Sequence, residues 1–356
     1  MKVCLLGAEG EFTDRTGHGV LTYMYYLSEE LHRMSSEEFQ VVTKEFRRFP
    51  LLKNIYTVGI RSLFEDFSEY DIVHLLDTRP TTYIKYDKAI SITTTHGFRP
   101  ITTKEIDWEA YKTLHGLMDL YLARLPTIKA ALKSDYLIAN STLVRSEAIE
   151  LGFDKAKVFV TNLGVDKRYS KVISPKQEQS TFKVGNLSGD VRTKNALFAV
   201  KAFRNLKDED MTFEIWGSKS GQYYEDLVEA SRGDKRIKFM GFVPEDKKIA
   251  VYDSFDIFLY PPLYESFGLP ILEAQARGLP VIIWKYGKVP EEVARYCLKA
   301  EDEDHMAEII KNIKENGYNE KKRKIAMEYA RSFTWKKTAE KTINVYRIAY
   351  NNNLRK

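Results

Sequence analysis

The sequence predicts an α/β chain folded as two strand–helix domains, each around a mostly parallel sheet. Three observations predict this. Short apolar runs alternate with amphipathic helical stripes along most of the chain, the pattern of βαβ units. The alternation stops at a polar stretch, 166–179, interrupted by Pro175, and then restarts. The length of 356 residues suits two domains of about 150–180 residues each.

The first domain is expected over 1–165. Residues 2–6 read as a buried strand, followed by a loop with glycines at 7, 10, 17 and 19. Val20, Leu21, Met24, Tyr25, Leu27 and Leu31 then mark one face of a helix. Further strands are expected at 39–43, 55–58, 71–76 and 89–94, and at 136–139 after a long helix around 108–133. Residues 166–179 form the expected linker, and 180–334 the second domain. Its strands are expected at 181–185, 212–216, 237–240, 256–260 and 281–284. Its helices begin at Lys194 and Tyr223, end near Tyr252, and cover 265–277 before Gly278. From Glu308 the tail reads as amphipathic helix broken once, at Gly317. Trp335, Ala339, Ile343, Val345, Tyr346 and Ala349 give 335–356 an apolar face that is expected to pack back on the first domain.

Hydrophobic content of 44% and charged content of 29% describe a globular protein with sizeable cores and exclude a disordered or fibrous chain. The net charge of +5 is spread among interspersed acids, so no nucleic-acid partner is expected. The two cysteines, Cys4 and Cys297, lie in opposite halves with no CxxC or Cys/His cluster. A disulfide framework and a structural zinc are therefore not expected. Asp253 and Asp256 lack further ligands nearby, and no metal is assigned. Met1-Lys2 leads straight into a strand without a leader pattern, and no apolar run nears the ~18 residues that span a bilayer. A cytoplasmic location is expected. The helix around 108–133 mixes Leu114, Leu117, Met118 and Leu122 with Lys112, Arg124, Lys129 and Lys133, which leaves a peripheral membrane contact open. Glu109, Asp119 and Pro126 favour ordinary packing instead.

The densest chemistry lies in Glu265-Ser-Phe-Gly-Leu-Pro-Ile-Leu-Glu273. Pro270 suits the first turn of a helix, where its missing N–H breaks no bond. Glu265 then sits in the loop above a strand end, and Glu273 one turn inside the helix. The amides of Phe267, Gly268 and Leu269 face out of the helix start, where unsatisfied donors and about half a positive charge suit a phosphate. Two acids beside an anion hole suit a ligand with a diphosphate and several hydroxyls. A capped surface helix with incidental acids is the bland alternative.

Three other loops are candidates. Gly17-His18-Gly19 precedes a helix, where close backbone approach to a ligand is possible; turn geometry alone would also explain the glycines, and the dinucleotide pattern G-x-G-x-x-G is absent. Arg192 and Lys194 stand near a helix start after a strand, and together they would neutralise a diphosphate or simply be solvated charges. His96, between Thr95 and Gly97 at a strand end, is placed to reach a cleft and exchange a proton, or to be a structural histidine bonded to a carbonyl. Residues 161–166, Thr-Asn-Leu-Gly-Val-Asp, read as a hinge.

In this order the motifs resemble the retaining nucleotide-sugar glycosyltransferases of family 4. The resemblance runs through the glycine loop, Thr95-His96-Gly97, Asn140-Ser141, Asn162-x-Gly164-Val165-Asp166 and Lys194-Asn195. It continues through Gly241-Phe242-Val243, Glu265-x₇-Glu273, Gly278-x-Pro280-Val281 and the Trp335…Tyr346 helix. It implies the GT-B fold: two Rossmann-like domains with parallel sheets facing an interdomain cleft, and a last helix crossing back to the first. It implies that Glu273 holds the ribose hydroxyls, Glu265 the transferred sugar, and Phe267, Gly268 and Leu269 the sugar and diphosphate. Lys194 with Arg192 would neutralise the leaving diphosphate without a metal or other cofactor. Gly217 and Val243 would lie near the base, Gly17 and Gly19 near the phosphates, and His96 beside sugar and acceptor. The implied partners are a UDP- or GDP-sugar donor and a hydroxyl acceptor, whether free glycan, lipid-linked or protein. Three departures stand out: Asn186 where the family has an arginine after Gly185, His18 splitting the first glycine pair, and Pro261-Pro262 in place of Pro-Ser. A nucleotide-sugar epimerase or phosphorylase of the same architecture, and a sugar-nucleotide-binding protein without turnover, are the alternatives.

Overall fold

The computed structural model describes residues 1–8, 10–13, 19–46, 65–77, 89–98, 125–171, 181–187 and 191–354. The expected strand at 55–58, Gly17 and His18, most of the helix around 108–133 and the second half of the expected linker lie outside them. The chain divides into two compact units, Met1–Gly164 with Trp335–Lys356, and Val165–Thr334.

The first unit contains β1 (Lys2–Ala8), α1 (Gly19–Arg33), β2 (Gln40–Phe46), β3 (Ile72–Leu75) and β4 (Ile90–Thr95). These are followed by α2 (Leu125–Ala131), β5 (Tyr136–Ala139), α3 (Thr142–Glu150) and β6 (Val158–Val160). The described strands form one sheet in the order β2-β1-β3-β4-β5-β6, parallel at every pairing. Parallel strands are covered on both faces by their crossovers, and this decides the environment of β4. Its Ile-Ser-Ile-Thr-Thr-Thr sequence alternates as though one face met water, yet all six residues are buried. The hydroxyls therefore need partners. Ser91 donates to Asp135 at 2.8 Å, Thr93 bonds Ser134 at 2.7 Å, and Thr94 bonds both His74 and Tyr23 at 2.8 Å.

The C-terminal helix, Trp335–Asn353, belongs to this unit, because its apolar stripe finds its partners there. Trp335 stacks on Tyr26 with ring centroids 5.3 Å apart. Thr338 donates to the Asn162 carbonyl at 2.7 Å, and the Tyr346 hydroxyl lies 2.6 Å from His74 Nδ1.

The second unit opens with a 3₁₀ turn, Lys167–Ser170, then β7 (Phe182–Leu187), a 3₁₀ turn over Arg192–Lys194, α4 (Ala196–Asn205), β8 (Met211–Trp216) and α5 (Gln222–Ser231). It continues with β9 (Ile237–Gly241), α6 (Lys248–Ser254), β10 (Ile257–Leu259), α7 (Leu269–Ala276), β11 (Val281–Trp284) and α8 (Glu291–Ala294). Last come β12 (Leu298–Ala300), α9 (Glu303–Asn316) and α10 (Glu320–Arg331). The described strands again form a parallel sheet, ordered β12-β11-β10-β7-β8-β9. Val184, Phe203, Phe213 and Ile257, all fully buried, lie in the core beneath it; each such side chain contributes about 1.5–3 kcal/mol. Strand order reverses between β7 and β10, and ligands of open α/β sheets bind outside the carboxyl ends at that point.

Three local differences from the sequence expectation have physical causes. The helix expected from Lys194 starts at Ala196, because Asn195 adopts a left-handed conformation with φ 55°. Residues 165–171, at the head of the expected linker, are seated on the second unit. Asp166 accepts from the Arg168 amide at 2.8 Å, Tyr169 is buried, and Arg277 donates to the Tyr169 and Lys171 carbonyls at 3.0 and 2.7 Å. The tail is broken twice instead of once: after Gly317, and again at 332–334. There the Val165 amide captures the Phe333 carbonyl at 2.9 Å and Val165 pairs with Thr334, drawing these residues out of the helical ladder.

Candidate functional site

The loops after β7 and β10 meet at the point where strand order reverses in the second unit. The Leu263 amide donates to the Thr193 carbonyl at 2.8 Å, and the Glu265 amide to the Lys288 carbonyl at 2.8 Å. These bonds hold Lys194 and Glu265 face to face. The Lys194 ammonium donates to Glu265 Oε2 at 2.5 Å and lies 5.7 Å from the centre of the Tyr260 ring. The Tyr260 hydroxyl donates to the same oxygen at 2.9 Å. Glu265 is only 7% exposed, and a side chain buried this far needs such hydrogen-bond partners. Burial, with Glu265 adding to it, pushes the Tyr260 phenol well above its ordinary range, which keeps it a donor.

Gly268 turns the chain from this loop into α7 with φ 104° and no side-chain cap. A Cβ at this position would meet Glu265 Cγ at 3.1 Å and Ile271 and Val293 at 3.3 Å, so the glycine is needed for both its conformation and its size. Pro270 lies in the first turn. No hydrogen bond involves the Gly268 and Leu269 amides among the described residues, leaving open donors at the helix start. The Phe267 ring is buried with its edge toward Phe333, 6.2 Å between centroids; it anchors the turn.

Glu273 sits in a second cluster on α7. It is 6% exposed; Lys248 donates to Oε1 at 3.1 Å and Tyr252 to Oε2 at 2.9 Å. Burial, followed by Glu273, raises the Tyr252 phenol well above its ordinary value.

Arg192 turns away from Lys194: it bonds Asp226 of α5 at 2.8 Å and lies 5.3 Å from the centre of the Tyr223 ring. Asn186, the residue standing where an arginine was expected, is fully buried in β7 and donates to the Leu259 carbonyl of β10 at 2.7 Å, so its side chain clamps the two switch-point strands. Gly217 follows β8, its amide donating to the Gly241 carbonyl at 2.9 Å. Val243 follows β9 and is half-buried beside Phe242, which is 68% exposed. In the first unit, His96 lies just past β4; its Nε2 is 3.0 Å from the Leu76 carbonyl and its ring meets the edge of Tyr23 with centroids 4.8 Å apart. Gly19 is the first residue of α1. Among the described residues no three of His, Cys, Asp and Glu converge as metal ligands, and no helix is long and apolar enough to cross a membrane.

Sequence reasoning missed Tyr260, Lys248 and Tyr252. Tyr260 directly follows β10, five residues before Glu265, and was open to being found as a donor to it. Lys248 stands in the polar run Glu245-Asp-Lys-Lys, which reads as solvated surface, so nothing local marks it.

The family model described as glycosyl transferases group 1 matches residues 167–333. The matched residues span nearly the whole of the second unit. Among curated proteins the chain is 32% identical over 125 residues to the O-antigen chain mannosyltransferase B of Escherichia coli, covering 34% of this chain and 33% of that protein. It spans about a third of the length of the first curated relatives it matches. Among solved structures, sucrose-phosphate synthase from Thermosynechococcus elongatus aligns over 99% of this chain and 100% of its own, with TM-score 0.75 and 16% identity. Anabaena HepE in complex with UDP and glucose aligns over 98% and 99%, with TM-score 0.71 and 16% identity. At these identities the structures establish the fold, which is GT-B.

Proposed function

We propose that the chain is a retaining hexosyltransferase that moves a hexose from a UDP- or GDP-sugar to a hydroxyl acceptor, with no metal or other cofactor. The observation that carries the reading is the Lys194 ammonium 2.5 Å from Glu265, beside the open helix start at Gly268 and at the switch point of the sheet. Leaving-group charge is the main demand of this reaction, and preorganised donors meet it without reorganising. Lys194 and the amides of Phe267, Gly268 and Leu269 serve the diphosphate, Glu265 the hexose hydroxyls, and Glu273 the ribose. In this reading Gly217 and Val243 serve the base, Gly17 and Gly19 the phosphates, and His96 the sugar and acceptor. The acceptor oxygen bonds to the anomeric carbon on the face from which the diphosphate departs. The carbon–phosphate oxygen bond breaks, and the acceptor proton passes to the departing phosphate oxygen. The match to the group 1 family model and the UDP and glucose bound by Anabaena HepE support this reading. The proposed setting is the cytoplasm, with a lipid-linked, glycan or protein acceptor.

A sugar-nucleotide-binding protein without turnover is the second reading, favoured by the pairing of Arg192 with Asp226. The test is incubation of the protein with UDP-, GDP- and ADP-hexoses and an acceptor panel, with thermal shifts read in parallel. Transfer or slow donor hydrolysis supports the first reading. Donor binding with neither supports the second, and no binding of any nucleotide overturns both.

A further inference from the structure

We infer that Lys248 is a positioning residue for Glu273, held in place by Glu245 and Arg168, and that this chain of charges sets how strongly the site recognises a ribose. The inference rests on the proposed role of Glu273 at the donor ribose. The residues form an alternating series through the second unit. The Lys248 ammonium lies 3.0 Å from Glu273 Oε2 and 3.1 Å from Oε1, bridging the carboxylate. It is also 3.7 Å from Glu245 Oε2. Glu245 Oε1 lies 3.5 Å from the Arg168 guanidinium, whose Nε donates to Asp166 at 2.7 Å.

A carboxylate has about four lone-pair positions. Lys248 and Tyr252 occupy some of them and fix the plane of the group, while the rest stay available to hydroxyl donors. Without Lys248, Glu273 would be a nearly buried acid with one phenol as its partner, and it would lose both its charge balance and its orientation. The ammonium is itself stabilised: burial alone would lower its pKa, but Glu273 and then Glu245 outweigh burial, and the net displacement is upward. Arg168 and Asp166 extend the series to the turn at the start of the unit, so the position of Glu273 is tied to residues 166–170.

The test compares UDP and GDP with their 2′-deoxy counterparts by calorimetry on wild type, Lys248→Met, Lys248→Arg, Glu273→Gln and the double variant. Wild type is expected to prefer the ribonucleotide by about tenfold or more, the worth of one hydrogen bond to a charged group. Lys248→Met is expected to lose about tenfold in ribonucleotide affinity and most of that preference, whereas Lys248→Arg keeps the preference. In the Glu273→Gln background, Lys248→Met is expected to add less than about twofold, because the pair acts as a unit. If Lys248→Met alone does not fold, the double variant, which removes both charges, carries the comparison. An unchanged ribose preference in Lys248→Met, or a further tenfold loss in the Glu273→Gln background, overturns the positioning role while leaving the donor-site reading intact. A wild-type protein that binds neither nucleotide overturns both.

Discussion

His74 gives the first unit a defined weakness to acid. It is fully buried in β3, between the Tyr346 hydroxyl at 2.6 Å and the Thr94 hydroxyl at 2.8 Å. Burial, with a smaller push from His96, lowers its pKa from 6.5 to about 3. The unfolded chain therefore binds a proton below pH 6.5 that the folded chain refuses until about pH 3. Stability is complete above 6.5 and falls as pH drops through that window, by about 1.4 kcal/mol per unit and by at most about 5 kcal/mol in all. Glutamine at this position keeps hydrogen-bonding atoms for Tyr346 and Thr94 but cannot titrate. The assay is hydrogen exchange of the β3 and β4 amides in wild type and His74→Gln at pH 7.5, 6.0 and 4.5, corrected for intrinsic rates. Other carboxylates titrate in both proteins and cancel in the difference. The stability advantage of wild type should shrink by roughly 2–3 kcal/mol between pH 7.5 and 4.5. Parallel pH curves for the two proteins would refute the assignment of His74 as a buried neutral imidazole.

Two predictions concern the second unit. Gly268→Ala places a Cβ at φ 104° and within 3.1 Å of Glu265 Cγ; stability in urea should fall by about 1–3 kcal/mol, with donor affinity reduced as Glu265 is displaced. Arg192→Ala removes a half-exposed pair with Asp226, so stability should change by less than about 1 kcal/mol. If Arg192 leaves Asp226 to neutralise the donor diphosphate, the same variant weakens calorimetric donor binding by about tenfold; unchanged binding assigns Arg192 to Asp226 alone.

The sheet architecture was legible because β1, β3 and β10 are short, mostly apolar runs whose spacing follows from burial on both faces. Glu265, Lys194 and Gly268 were legible for a related reason: each follows a strand or opens a helix, and those positions face the crevice of a parallel sheet. The partnership of Arg192 with Asp226 was not legible, since two side chains 34 positions apart are joined only by the packing of α5. Asn186 was read as a missing charge, yet its amide closes β7 onto β10, a role visible only once strand order is known. Lys248 was hidden for the same reason: whether a lysine that opens a seven-residue helix is solvated or buried depends on what α6 lies against. The break at 332–334 has no glycine or proline to announce it; a backbone bond to Val165, far away in sequence, makes it.

The most direct measurement of the central claim is calorimetric titration of UDP- and GDP-hexoses, with product analysis on the same samples, for wild type, Lys194→Ala and Glu273→Ala. Wild type should bind one of these donors and release its hexose to an acceptor or to water. Each variant should keep its fold by circular dichroism and lose detectable transfer. Wild-type levels of binding and transfer in both variants would contradict the account.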